Sequence, residues 1–227
     1  MIVSRQANPG FSLVELLVTL GLMATLMAFT LVGLNKMTER SKAAQCVGSL
    51  KYCGAALSIY IGENNGVYKN WMAGTTEYAN YWTWYLRYKG GYTTEDLAAR
   101  RCHSADFGDN PANLGGHYGF YTEDPYGQRS TPASGTTIYE IRMATHPNPA
   151  SAPMLADSLK EDGKIQMHTI RKGSGTSRGG FHARHSGRVN VFFVDGHIEP
   201  VSPSRFRELN VDQIFSEEGE IVITPTK

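Results

Sequence analysis

Residues 11–34 read FSLVELLVTLGLMATLMAFTLVGL, an uninterrupted apolar stretch whose single ionisable member is Glu15. As a helix this stretch is about 36 Å long, enough to cross a hydrocarbon core of about 30 Å. No other window is comparable, so one membrane span is expected. Arg5 precedes the run, and Lys36, Glu39, Arg40 and Lys42 follow it, so charge at both ends leaves orientation open under the positive-inside rule. A secretory signal peptide would have a shorter apolar region of about 7–15 residues, closed by a small-residue cleavage site. The run here is too long and no A-x-A pattern ends it. A simple anchor fits the length but not Glu15, because a carboxylate at the centre of a bilayer costs about 2.5–3.5 kcal/mol. The nearest cation on its amino-terminal side, Arg5, is ten residues away.

The remaining sequence is of a different kind, and the mean hydropathy of −0.32 averages the two. Twenty-two Lys+Arg against 21 Asp+Glu give a net charge of +1, which removes any global electrostatic case for nucleic acid or an acidic substrate. Aromatic residues make up 11% of the chain, too many for disorder. Three cysteines are too few for a small disulfide scaffold, and no CxxC zinc pairing is present.

Beyond Leu34 the chain turns amphipathic. Ala43, Val47, Leu50, Gly54, Leu57 and Ile61 recur at spacings of three and four, which predicts one continuous helix over residues 11–62 with its transmembrane part at 11–34. The run GENNG at 62–66 ends it. Residues 63–227 read as a strand-rich domain, and the fold class is α+β. Strands are expected at 117–121, 136–143, 152–156, 164–170 and 188–194, with a short helix from Thr94. RVNVFFV-DG-HIEPV predicts a carboxy-terminal hairpin over 188–201, turning on Asp195-Gly196 with positive φ at both. Val189, Val191 and Phe193 should then share a face with Ile198.

Several groups of residues are candidates for chemistry. Tyr81, Trp82, Trp84, Tyr85 and Tyr88 form either a stacking platform or, more simply, core packing. His182, His185, Asp195 and His197 could converge around the hairpin as metal ligands or as a base and its orienter, against a structural role in the turn. Gly175-Thr-Ser177-Arg-Gly179 matches G-x-S-x-G, but a hydrolase elbow needs a strand before the serine and a helix after it, and the surrounding KGSGTSRGG reads as a loop. Asp106, Asp109, Asn110 and Asn113 offer hard oxygen ligands yet match no calcium-loop spacing, and turn chemistry accounts for them.

The segment GFSLVELLVTLG resembles the cleavage and methylation motif of type IV pilins and the pseudopilins of type II secretion systems. The resemblance implies that a prepilin peptidase cuts between Gly10 and Phe11, removing residues 1–10 as a leader and N-methylating Phe11. It implies that Glu15 engages the terminal amine of a neighbouring subunit during assembly. The implied fold is a long amino-terminal helix packed on an antiparallel β-sheet domain. The implied location is the bacterial inner membrane, single-pass, with that domain in the periplasm and a filament after assembly. Implied partners are the peptidase, other pilin or pseudopilin subunits and an inner-membrane assembly platform. No catalytic residue and no cofactor are expected, though some pseudopilins hold calcium in a carboxy-terminal loop. His185, nine residues, then Asp195-Gly196 resembles a His-x9-Asp-Gly signature of prepilin-type proteins. The fragments CVGSLKYCGAALSIYIGENNGVY, RCHSAD and MLADS are similar to further parts of that group, with departures at Val47-Gly48-Ser49 and His103.

In such a protein the domain lies where disulfides persist. Cys46 and Cys53 sit two helical turns apart, about 10 Å, and cannot bridge each other. A bond from Cys102 to either one, or three separate buried thiols, are the alternatives. The rival function is a membrane-anchored periplasmic hydrolase or carbohydrate-binding protein built on the histidines or the Tyr/Trp segment.

Overall fold

The structure, a computed structural model, describes residues 10–73, 82, 91, 102–104, 118–131, 137–160, 165–171, 179–209, 211 and 213–223. The helix expected from Thr94 lies outside them. The chain forms two units, Met1–Ser41 and Lys42–Lys227.

Helix α1 spans Leu13–Glu63, starting in the first unit and ending in the second. Its start is a capping box: the Val14 N–H points to Ser12 Oγ at 3.3 Å, while the Ser12 N–H donates to Glu15 Oε2 at 2.9 Å. Its end is a Schellman-type closure. Asn65 takes φ +57° and Gly66 φ +73°, and the Gly66 N–H reaches back to Ile61 O at 2.8 Å. No proline occurs between these ends, and Leu, Ala and Met are abundant.

In the second unit the described strands are β1 (Val67–Ala73), β2 (Gly119–Tyr121), β3 (Gln128–Ser130), β4 (Thr137–Arg142), β5 (Pro153–Ala156), β6 (Ser158–Lys160), β7 (Thr169–Ile170), β8 (Gly179–His182), β9 (Val189–Phe193), β10 (Ile198–Val201), β11 (Gln213–Phe215) and β12 (Ile221–Ile223). Strands β1, β4 and β3 form a small antiparallel sheet in that order. The larger sheet runs β10-β9-β5-β2-β7-β8-β11-β12, with β6 also on β8. It is mixed: β2–β7, β7–β8 and β8–β11 are parallel and the other pairs antiparallel. The architecture is α+β, a long amino-terminal helix followed by a mostly antiparallel, mixed sheet domain.

Alternation along β2, β5 and β9 sends neighbouring residues to opposite faces. Phe120, Leu155 and Phe192 join Cys46, Leu50, Cys53 and Leu57 of α1 in one core, whereas Tyr121, Ala156, Val191 and Phe193 join Phe181, Val201 and Phe206 in another. The helix comes very close to the sheet at Gly54, where a Cβ would lie only 2.3 Å from Phe192 Cε2. Phe206 belongs to a short helix, α2 (Pro203–Glu208), which the sequence reading missed. Its signal was present: Ser202 caps it and Pro203 opens it.

The carboxy-terminal hairpin corrects the expected register. Ile198 pairs with Phe192 and Val201 with Val189, so Ile198 shares a face with Phe192 rather than with Val189, Val191 and Phe193. The loop is three residues, Val194–Gly196, between Phe193 and His197, closed by Gly196 N–H to Phe193 O and Phe193 N–H to His197 O, both 3.0 Å. Only Gly196 has positive φ, +92°; Asp195 does not. Changing the loop length moved the register by one residue and exchanged the faces. A tight turn with two successive positive φ values lies earlier, at Ser186 (+52°) and Gly187 (+74°), where His185 and Arg188 exchange backbone hydrogen bonds of 3.1 and 3.2 Å.

Candidate functional site

The first locus is the start of α1. Residues Leu13–Thr30 form a helix long and apolar enough to cross a membrane, and none of that window is buried in the protein. Its three threonines each satisfy their own hydroxyl: Thr19, Thr25 and Thr30 donate to the carbonyls of Leu16, Leu22 and Met27 at 2.8–2.9 Å. Those polar groups therefore enter an apolar phase already paired. Glu15 is the one ionisable side chain in the window. Its Oε2 takes the Ser12 N–H, which places the carboxylate at the first turn of the helix. Phe11 is 83% exposed.

The second locus lies inside the domain and was not assembled from the sequence. Cys46 of α1 is disulfide-bonded to Cys102, with a Cα–Cα distance of 4.6 Å, and Cys53 is a buried cysteine outside that bridge. His185 Nε2 sits 3.3 Å from Cys102 Sγ and 3.2 Å from Asp157 Oδ2. Both neighbours accept, so Nε2 carries the proton. The reciprocal turn at Ser186-Gly187 fixes the His185 backbone, and the junction of β5 and β6 fixes Asp157. Asp157 is 0% exposed; its Oδ2 accepts the Asn190 N–H at 3.0 Å, while Oδ1 has no hydrogen-bond partner among the described residues. Beside it the buried Arg184 guanidinium donates to Ser158 O. Burial pushes the Arg184 pKa down and the Asp157 carboxylate opposes that shift. Above the bridge, Tyr118 Oη donates to Cys46 O at 2.6 Å, and its phenol is pushed up chiefly by burial, then by Asp157.

The histidines do not converge on Asp195, which corrects that expectation. His185 meets Asp157 and Cys102, whereas Asp195 meets His197 at the exposed hairpin tip, with Nδ1–Oδ1 at 2.5 Å. Asp195-Gly196 is turn chemistry there. Asp157 was given no role from the sequence, where it stands as the carboxylate ending the apolar run MLAD.

His182, 5% exposed at the end of β8, is held neutral. Burial foremost, then the Arg184 charge, lowers its pKa from 6.5 to about 4, with Asp157 and the backbone of Glu217 and Ser216 opposing. The unfolded chain therefore takes up the proton first, and stability falls as pH drops from about 6.5 towards 4. Between pH 7 and pH 5 this one residue should remove about 2 kcal/mol. In urea titrations at the two pH values, His182→Gln should show a correspondingly smaller loss than the parent chain. Equal losses would show that His182 is not the titrating group.

The remaining candidates divide. Trp82 is buried and donates Nε1–H to His168 O at 3.0 Å, so it is a core residue, while Tyr81, Trp84, Tyr85 and Tyr88 lie outside the described residues. Ser177 also lies outside them, and Gly179 opens strand β8, not the helix that a nucleophile elbow requires. Asp106, Asp109, Asn110 and Asn113 are likewise not described. A cavity of about 300 Å³ is lined by Tyr121, Asp124, Tyr126 and His146 among others. Its histidine is fully engaged: Nδ1 accepts the Asn148 N–H at 3.1 Å and Nε2 donates to Asp124 at 3.2 Å.

Compared with known proteins, the chain matches the prokaryotic N-terminal methylation motif over residues 5–32. That match ends well before the His185–Gly196 segment. No curated protein and no solved structure matches the chain. Motif and span together support a prepilin of the type IV pilin or pseudopilin kind, with an amino-terminal helix suited to membrane anchoring.

Proposed function

We propose that this chain is a structural, non-enzymatic subunit of a type II secretion pseudopilus or a type IV pilus-like filament. The observation that carries the reading is Glu15, the single ionisable side chain of an otherwise apolar span, five residues after Gly10 within a matched methylation motif. In this reading prepilin peptidase cuts between Gly10 and Phe11 and methylates Phe11. The span then holds the subunit in the inner membrane with its domain in the periplasm, a compartment in which the Cys46–Cys102 bridge would persist. On the assembly platform the apolar helices bundle, and each Glu15 pairs with a neighbouring subunit's terminal amine. That contact neutralises two charges in a medium where either alone is costly. The domain forms the outer surface.

The hydrolase or carbohydrate-binding alternative has no observation in its favour. Intact-mass and amino-terminal analysis of the protein purified from membranes tests the proposal. The expected chain begins at N-methylated Phe11. A mature chain retaining residues 1–10 would overturn it.

A further inference from the structure

We propose that, when the Cys46–Cys102 bond is reduced, the two thiolates, His185 Nε2 and Asp157 form a closed, structural zinc(II) site. The disulfide then has a metal-bound counterpart at the same place in the domain.

The geometry comes first. The ligand atoms of Cys46, Cys102 and His185 already lie within 4.8 Å of one another. Zinc bonds of about 2.0–2.3 Å set the edges of a tetrahedral site at roughly 3.2–3.8 Å. The Cys102 Sγ–His185 Nε2 separation of 3.3 Å and the Nε2–Asp157 Oδ2 separation of 3.2 Å fall on those edges. The two sulfurs must part, from bonding to van der Waals distance, and the Asp157 carboxylate must close towards them, since it stands outside the group of ligand atoms that lie within 4.8 Å of one another. Asp157 is fully buried, and its Oδ2, the oxygen 3.2 Å from His185 Nε2, has a lone pair for a metal beside the one that accepts the Asn190 N–H. The Ser104 N–H lies 3.5 Å from Cys46 Sγ and can support a thiolate there.

Chemistry and charge agree. Two thiolates and an imidazole favour zinc over the hard cations, and four protein ligands leave no open position for catalysis. Two thiolates and one carboxylate carry three negative charges; zinc leaves a remainder of one, which the buried Arg184 guanidinium faces. A phosphine reductant and water convert the disulfide to two thiols and a phosphine oxide. Zinc then displaces both thiol protons and takes the His185 lone pair, with the Nε2 proton released or moved to Nδ1.

The full chain in detergent, before and after phosphine reduction, is titrated with zinc and in parallel with cobalt(II). One zinc per chain is expected after reduction and none in the oxidised chain. The cobalt adduct should show sulfur-to-cobalt charge transfer of two thiolates with the strong visible bands of a tetrahedral ion. His185→Asn and Asp157→Asn should each weaken zinc binding by about tenfold or more, and Cys53→Ser should leave it unchanged. Zinc captured by an unfolded chain would instead recruit Cys53 and ignore Asp157. Absence of stoichiometric zinc, a three-thiolate cobalt spectrum, or unchanged affinity in both the His185 and Asp157 variants would overturn the proposal. Should either variant fail to fold, the parent chain's cobalt spectrum still decides.

Discussion

Glu15→Ala is expected to abolish incorporation into filaments while leaving the chain in the membrane fraction. Insertion needs only the apolar window Leu13–Thr30, and loss of a carboxylate makes that window more apolar. Assembly is different under the proposed function, because each new subunit would bury a terminal amine without its counter-charge. Breaking one side of a buried ion pair costs about 3–5 kcal/mol, roughly a hundredfold to a few thousandfold in affinity at every addition. Glu15 also accepts the Ser12 N–H in the capping box, so alanine removes two functions together. Glu15→Gln separates them, since glutamine serves equally at that box position but carries no charge. Both variants should appear in membranes and neither in sheared or pelleted filaments. If the glutamine variant assembles normally, capping and not charge is what assembly requires.

Removal of the Cys46–Cys102 bridge is expected to have the largest effect on stability. The two cysteines are 56 residues apart, and closing a loop of that size stabilises by about 4 kcal/mol on the chain-entropy account. Cys46→Ser, Cys102→Ser and the double substitution should lose similar amounts in denaturant titrations, because either single change already breaks the bond. Chemical reduction of the parent chain without added metal should do the same. Losses below about 1 kcal/mol, or additive losses in the double variant, would show that the bond does not contribute as described.

The long helix was legible because its signals are local: an apolar run, a stripe at spacings of three and four, and a Gly- and Asn-rich stop. The stripe placed Leu50, Gly54, Leu57 and Ile61 correctly on the buried side. It could not choose between Cys46 and Cys53, since both lie on that stripe and both are fully buried. Which one meets Cys102 depends on where a distant loop crosses the helix, and periodicity carries no such information. Strand positions were legible in part: β2, β4, β5, β9 and β10 fall on the expected apolar runs, whereas of the run 164–170 only Thr169–Ile170 is described as strand, and the short strands β1, β3, β6, β8, β11 and β12 were not expected. The hairpin register was not legible. Asp-Gly suits both a two-residue turn and a longer loop with one left-handed residue, and the two differ by one register position. The His185–Asp157–Cys102 cluster is non-local in the same sense: its members come from a tight turn, a strand end and a loop, and no spacing rule links them. At the amino terminus, by contrast, Gly10, Phe11 and Glu15 sit within six residues, so local sequence alone could single them out.

The bridge at Cys46 also fixes how force would travel. A pull entering through residues 13–45 reaches Cys46 and passes through a covalent bond directly to residue 102, bypassing the backbone between them. Peeling the last turns of α1 from the sheet would require breaking that bond or unravelling the fold beyond Cys102. Under the proposed function, a load carried along the helix would therefore leave residues 47–101 unloaded for as long as the bridge holds.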